Sequence, residues 1–117
     1  MENFFHGKLA MYRAVKAVCD AKPSVWRRSE AFADAFADFC GSLANLIQLQ
    51  PAVGIFNSVT RGIALEMEVA DTILTTEMDE LVEQFEAVDV VFVDDYTAAR
   101  SLEIAGDQSA PVRMVPG

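Results

Sequence analysis

The chain has 117 residues, 52% of them apolar and 23% charged, which is enough apolar material for one folded domain and too much for a disordered chain. Eighteen acidic and nine basic residues leave a formal charge of −9. That balance argues against general DNA or RNA binding, which needs a positive face, and against adsorption to an anionic membrane.

The opening Met-Glu-Asn-Phe-Phe-His-Gly-Lys has no basic stretch followed by an apolar run, so no signal peptide is read there. No segment reaches the roughly 18 apolar residues of a membrane span. A cytoplasmic protein without membrane contact is expected.

Residues 2–21 predict the first helix. Phe4, Phe5, Leu9, Met11, Tyr12, Val15, Val18 and Cys19 fill one half of its wheel, and Ala10, Ala14, Ala17 and Ala21 form a narrow second strip suited to close packing. Lys8 falls inside the apolar arc; its long stem can snorkel, and an internal pair with a glutamate is the sharper expectation. Pro23 stops the helix, and Trp26 in the connector is expected to cap one end of the core.

Ser29 is placed to cap the second long helix, with Glu30 in its first turn, where the helix dipole favours an acid. Phe32, Phe36, Phe39, Leu43, Leu46 and Ile47 recur at three- and four-residue steps, opposite Glu30, Asp34, Asp38, Ser42, Asn45 and Gln48. That is an amphipathic helix of about 20 residues, ended by Pro51 and Gly54. Cys19 and Cys40 then lie on separate antiparallel helices at different heights, so both are read as reduced, core-packed thiols.

After a loop at 51–59, with Ser58 or Thr60 as cap, Ile63, Met67, Ala70, Leu74, Met78, Leu81, Phe85 and Val88 follow at three- and four-residue steps. They predict one unbroken helix of about 27 residues and about 40 Å. Thr72, Thr75 and Thr76 weaken its propensity by only tenths of a kcal/mol each. Val90-Val91-Phe92-Val93 favours a strand locally, but nothing in the chain could pair with it. Asp89 is a good cap, and Phe92, Tyr96 and Ala99 keep helical spacing, so a fourth helix over 90–105 is expected, stopped at Gly106. Residues 107–117, with two prolines, are read as an extended or mobile tail beyond a single helical domain.

The expected fold is therefore all-α: an antiparallel bundle of about four helices with one long central helix and no sheet. In it the first two long helices form a hairpin that the central helix outruns by about 10 Å. Met78, Leu81, Phe85 and Val88 would then form an apolar overhang, and a homodimer covering it is expected.

Charge is segregated along the chain. Residues 1–30 hold six bases against three acids, and residues 62–99 hold eleven acids and no base. A solvated face is the plain reading, with Glu68, Asp79, Glu83 and Glu86 on the exposed side of the long helix. The alternative is a basic element of another copy, or of another protein, docked along the acidic ridge. The acids lack the regular spacing of backbone phosphates, which weighs against nucleic-acid mimicry.

No catalytic constellation stands out. His6 is the only histidine, and metal sites or triads built on histidine need partners that the sequence does not place. Glu66, Glu68 and Asp71 lack the loop that converges acids on a cation. No metal and no cofactor is expected. Lys22, Arg27 and Arg28 flank the start of the second long helix and are the candidate site for a small anionic ligand or phosphate. A polar pocket on which Tyr12, Lys8 and a carboxylate converged would argue for an enzyme instead.

Two stretches, Asn3-Phe4…Lys8-Leu9-Ala10-Met11-Tyr12-Arg13-Ala14-Val15 and Asp79-Glu80-Leu81-Val82-Glu83-Gln84-Phe85…Tyr96-Thr97-Ala98-Ala99-Arg100, resemble the two ends of a group of all-helical bacterial proteins without assigned activity. Longer members of that group carry a further block of helices between those ends, so this chain is similar to a shortened version. The resemblance implies an all-α fold with helix over 90–105, and it transfers no site residues. It also implies that the short chain covers by other means the apolar surface the missing block would bury.

Overall fold

The computed structural model describes residues 2–52 and 57–108. In order, the elements are α1 (Glu2–Ala21), α2 (Pro23–Trp26), α3 (Glu30–Leu49), a 3-10 turn (Gln50–Ala52), α4 (Asn57–Ile73), a π turn (Leu74–Met78), α5 (Asp79–Val82), a second 3-10 turn (Glu83–Phe85) and α6 (Val90–Gln108). The protein is an all-α bundle with no strand among the described residues, and Val90–Val93 is helical.

Local chemistry sets the boundaries. Ser29 Oγ accepts the Phe32 amide at 3.2 Å and starts α3, and Asp89 Oδ1 accepts the Phe92 amide at 3.1 Å and starts α6. Each side chain satisfies a donor that has no partner within its helix. Pro23 opens α2, and the Trp26 indole donates to the Cys19 carbonyl at 2.9 Å, capping the end of α1. Gly106 does not stop α6, which runs through it to Gln108; glycine permits an ending without imposing one. The tail expected over 107–117 lies outside the described residues from 109 onward. Ser58 and Thr60 sit within α4, which begins at Asn57.

The helices pair differently from the expected hairpin. α1 lies antiparallel along α6, and α3 lies antiparallel along the long helix, whereas α1 and α3 meet only sparingly. The four-residue α2 and the turn after it separate α1 from α3, so no tight connection holds those two together. α6 instead offers Phe92, Tyr96 and Ala99, all buried, at the spacing that fills the apolar arc of α1. Phe5, Leu9, Met11, Tyr12, Val15 and Cys19 are buried as expected, but Phe4 is exposed and the alanine strip is largely open to solvent. On α3 the predicted stripe is buried except for Ile47, while Ser42, assigned to the polar face, is buried against α4.

Aromatic rings join the elements at one end. Trp26 meets Phe36 edge-on at 5.0 Å, and Phe32 meets Phe85 at 5.3 Å, which in turn meets Phe92 at 6.0 Å. Such pairs contribute about 0.5–1.5 kcal/mol each beyond the area they bury. Through Phe85 and Phe92, α6 folds back over the end of the long helix, which therefore leaves no bare overhang.

The chain stays helical without interruption from Asn57 to Phe85, as predicted, but a π turn sits at its middle. A π turn takes up one extra residue. The buried positions show the effect: Ile63, Met67, Ala70 and Leu74 are followed by Met78, Val82 and Phe85. Val82 replaces the expected Leu81, which is only half-buried, and Val88 is 66% exposed in the turn after the helix. The threonines of the turn help to hold it. Thr75 Oγ1 donates to the Asp71 carbonyl at 2.9 Å and Thr76 Oγ1 to the Thr72 carbonyl at 2.6 Å, supplying donors where the widened turn disturbs the regular ladder.

Candidate functional site

The same extra residue places two carboxylates on one face. Asp71 and Asp79 flank the π turn, and both point toward the α1–α6 pair. Asp71 accepts from Lys8 Nζ at 2.8 Å and from the Tyr12 hydroxyl at 2.7 Å. Asp79 is gripped by both arms of the Arg100 guanidinium at 2.9 Å and accepts the Tyr96 hydroxyl at 2.6 Å. Lys8, Tyr12 and Tyr96 are buried; burial, then the hydrogen bond to Asp79, push the Tyr96 phenol well above its ordinary value. Lys8 is thus paired with an aspartate, where a glutamate was expected, and Asp79 is half-buried in a pair, where an exposed place was expected.

Part of the segregated charge is paired inside the chain. Lys8 and Lys22, at the two ends of α1, reach Asp71 and Asp89, so the basic N-terminal segment docks on the acidic segment of its own chain. Lys22 and the Phe92 amide hold the Asp89 carboxyl below its usual range. Glu66 accepts from Ser42 at 2.7 Å. Glu68, Glu77, Glu80, Glu83, Glu86, Asp94 and Asp95 remain exposed.

The expected cysteine and histidine roles can be placed. Both thiols are free; burial raises the Cys19 thiol to about 12 and also raises Cys40. His6 is exposed and tilts against Phe5. Among the described residues no cluster of three metal-ligating side chains forms. Tyr12 and Lys8 do converge on a carboxylate, Asp71, but none of the three lines either cavity described next.

Two of the surface cavities adjoin these groups or the predicted candidates. One, of about 260 Å³, sits at the end of the bundle where α2 faces the turn between the long helix and α6. It is lined by Ser24, Val25, Arg28, Ser29, Gln84, Phe85 and Val88. This cleft brings together two sets that the sequence kept apart: Arg28 of the anion-site candidates, and Phe85 and Val88 of the interface candidates. Arg27 is exposed and does not line it, and the Lys22 ammonium is held by Asp89. Met78 and Phe85 are buried within the chain and Leu81 half-buried. Of the four interface candidates, Val88 alone is freely presented, and Val90 and Val91 stand exposed beside it at 50% and 53%.

The second cavity, about 390 Å³, is an open groove between α5 and α6 on the side of α6 away from α1. Its floor is Val82, Val93 and the Tyr96 ring, and its walls are Asp79, Glu83, Thr97, Arg100 and Ser101. Sequence reasoning missed Val82, Val90, Val91, Val93 and Thr97. Only the one-residue shift at the π turn turns Val82 inward, and no local pattern announces it. The valine run did signal something, but its exposure depends on which side of α6 meets α1.

No helix of the described residues is long and apolar enough to cross a membrane. No protein-family model, no curated protein and no solved structure matches the chain.

Proposed function

We propose that this chain is a non-enzymatic helical interaction module of the cytoplasm that acts as a homodimer, a shortened form of the helical group it resembles. Copies pair through the corner between the long helix and α6. The observation that carries the reading is the adjacent exposure of Val88, Val90 and Val91 next to a cleft floored by Phe85 and Val25. Covering the exposed half of each valine contributes about 1 kcal/mol, so three from each copy supply about 6 kcal/mol, comparable with the lower estimates of the entropic cost of association. The cleft must therefore be filled as well, and a twofold arrangement lets each copy insert its valine edge into the other's cleft.

Light scattering coupled to gel filtration tests this directly. The wild-type chain should run as a dimer at micromolar concentration, and Val88→Asp with Val91→Asp should run as a folded monomer. A monomeric wild type, or a variant that still dimerises, refutes the reading. A second reading is a small-anion site on the rim of the same cleft, favoured by Arg28, Ser24 and Ser29 lining it together. It predicts that phosphate raises the melting midpoint of the wild type and not of Arg28→Ala.

A further inference from the structure

The groove between α5 and α6 is a separate surface, and we infer that it is a docking site for a basic amphipathic helix of another protein. Its shape is that of a trough between two helices. On α6, Val93, Thr97 and Ser101 succeed one another along it, a run of about 12 Å at the helical rise, or roughly two turns of a partner helix. Its floor is apolar, with Val82 buried and Val93 half-buried, so it offers sockets for side chains spaced at three and four residues.

Charge fixes the chemistry of the occupant. On the α5 side Glu83 is exposed, with exposed Glu80 and Glu86 three residues to either side of it. On the α6 side exposed Asp94 continues the line of Thr97 and Ser101 at helical spacing. The one base in the wall, Arg100, has its guanidinium committed to Asp79 through two hydrogen bonds. The trough is thus apolar along its bottom and negative along both rims, which matches a helix with an aliphatic stripe flanked by lysine or arginine. A second copy of this chain does not supply that stripe from α1. Of its bases Lys8 and Lys16 are ion-paired and Arg13 is a single exposed charge, and the apolar face of α1 is buried in its own core.

The test uses a fluorescein-labelled peptide of about 18 residues built from leucine, alanine, lysine and arginine, with leucines at helical three-four spacing. A scrambled isomer of identical composition lacks the apolar face. Anisotropy at physiological salt should show the amphipathic peptide binding the wild-type chain about tenfold more tightly than its isomer. Glu83→Lys with Thr97→Arg should weaken binding by about tenfold or more, while Ala64→Arg with Glu68→Lys, the same charge change on α4, should leave it within roughly twofold. Amide exchange on the wild-type chain should show peptide protection confined to residues 79–83 and 93–101, the two walls of the groove, with 84–91 at the valine corner unchanged, a readout that does not depend on any variant folding. Equal binding of the isomer, equal weakening by both double variants, protection elsewhere, or no binding at all overturns the proposal. None of these readouts depends on dimerisation at the valine corner, so the two surfaces stand or fall separately.

Discussion

Deleting Thr75 is the sharpest test of the architecture. If the π turn houses one surplus residue, its removal leaves a plain α-helix in which the residues now numbered Met78, Val82 and Phe85 fall three, seven and ten positions after Leu74. Those are the positions that share a face in a regular helix, so every buried side chain, and Asp79 opposite Arg100, keeps its place. Thr75 is exposed and contributes one hydroxyl bond to the Asp71 carbonyl. The deletion should therefore leave stability within about 1 kcal/mol of wild type. Deleting Glu68, which is equally exposed, has no surplus to draw on. One half of the helix must turn by about 100° against the other, taking either Ile63 and Met67 or Ala70 and Leu74 out of the core. Exposing Ile63 and Met67 costs roughly 3–6 kcal/mol, a large part of the roughly 5–15 kcal/mol that holds a typical domain. Urea titration read by the fluorescence of Trp26, the only tryptophan and packed on Phe32 and Phe36, measures both. Equal losses from the two deletions would show that the π turn is not an inserted residue and that the shifted register is wrong.

Asp79→Ala leaves a half-buried guanidinium and a buried phenol without their shared carboxylate. Breaking a fully buried pair costs about 3–5 kcal/mol; here the loss should be about 2–4 kcal/mol, because a third of the Asp79 side chain is exposed. Adding Arg100→Leu should recover part of that in the same urea assay. Alkali should destabilise the protein. An unfolded Cys19 ionises near its ordinary 9.0, whereas the folded thiol holds its proton to about 12. Stability is therefore intact below pH 9 and falls by about 1.4 kcal/mol per pH unit above it. The raised Tyr96 phenol steepens the slope beyond the ordinary tyrosine value near 10, and Tyr96→Phe should remove that added steepness. Acid acts through Asp89 in the opposite sense. Its folded carboxyl titrates below its ordinary value, so its contribution is present above that value and is lost as pH falls through the folded one; Asp89→Asn should flatten that part of an acid titration followed by circular dichroism.

Much of the fold is legible because it rests on local periodicity. Phe32, Phe36, Phe39, Leu43 and Leu46 name the inner face of α3 by spacing alone, and Asp89 announces the start of α6 by its position before an apolar helical run. What periodicity cannot supply is pairing over long sequence separations. The partner of α1 is α6, some seventy residues away, and nothing within either helix distinguishes that partner from α3. The cleft at the bundle end was half visible for the same reason. Arg28 and Val88 each stood out, and only the return of α6 over Phe85 sets them side by side.

The differences along the long helix beyond Leu74 share one cause. Beyond Leu74 the sequence offers two apolar registers: Leu81, Phe85 and Val88 without an extra residue, or Val82 and Phe85 with one. The first buries more hydrocarbon, and hydrophobic pattern alone selects it. The second is the one adopted, and the polar groups account for the choice. In the unshifted register Asp79 turns away from Arg100 and Tyr96, leaving a half-buried guanidinium and a buried hydroxyl to find other partners, at a cost of several kcal/mol. Exposing most of one valine side chain costs about 1–2 kcal/mol. The carboxylate cluster therefore outweighs the valine and fixes the register. Val88, on which the dimer proposal rests, lies past the end of that helix, in the turn that leads into α6.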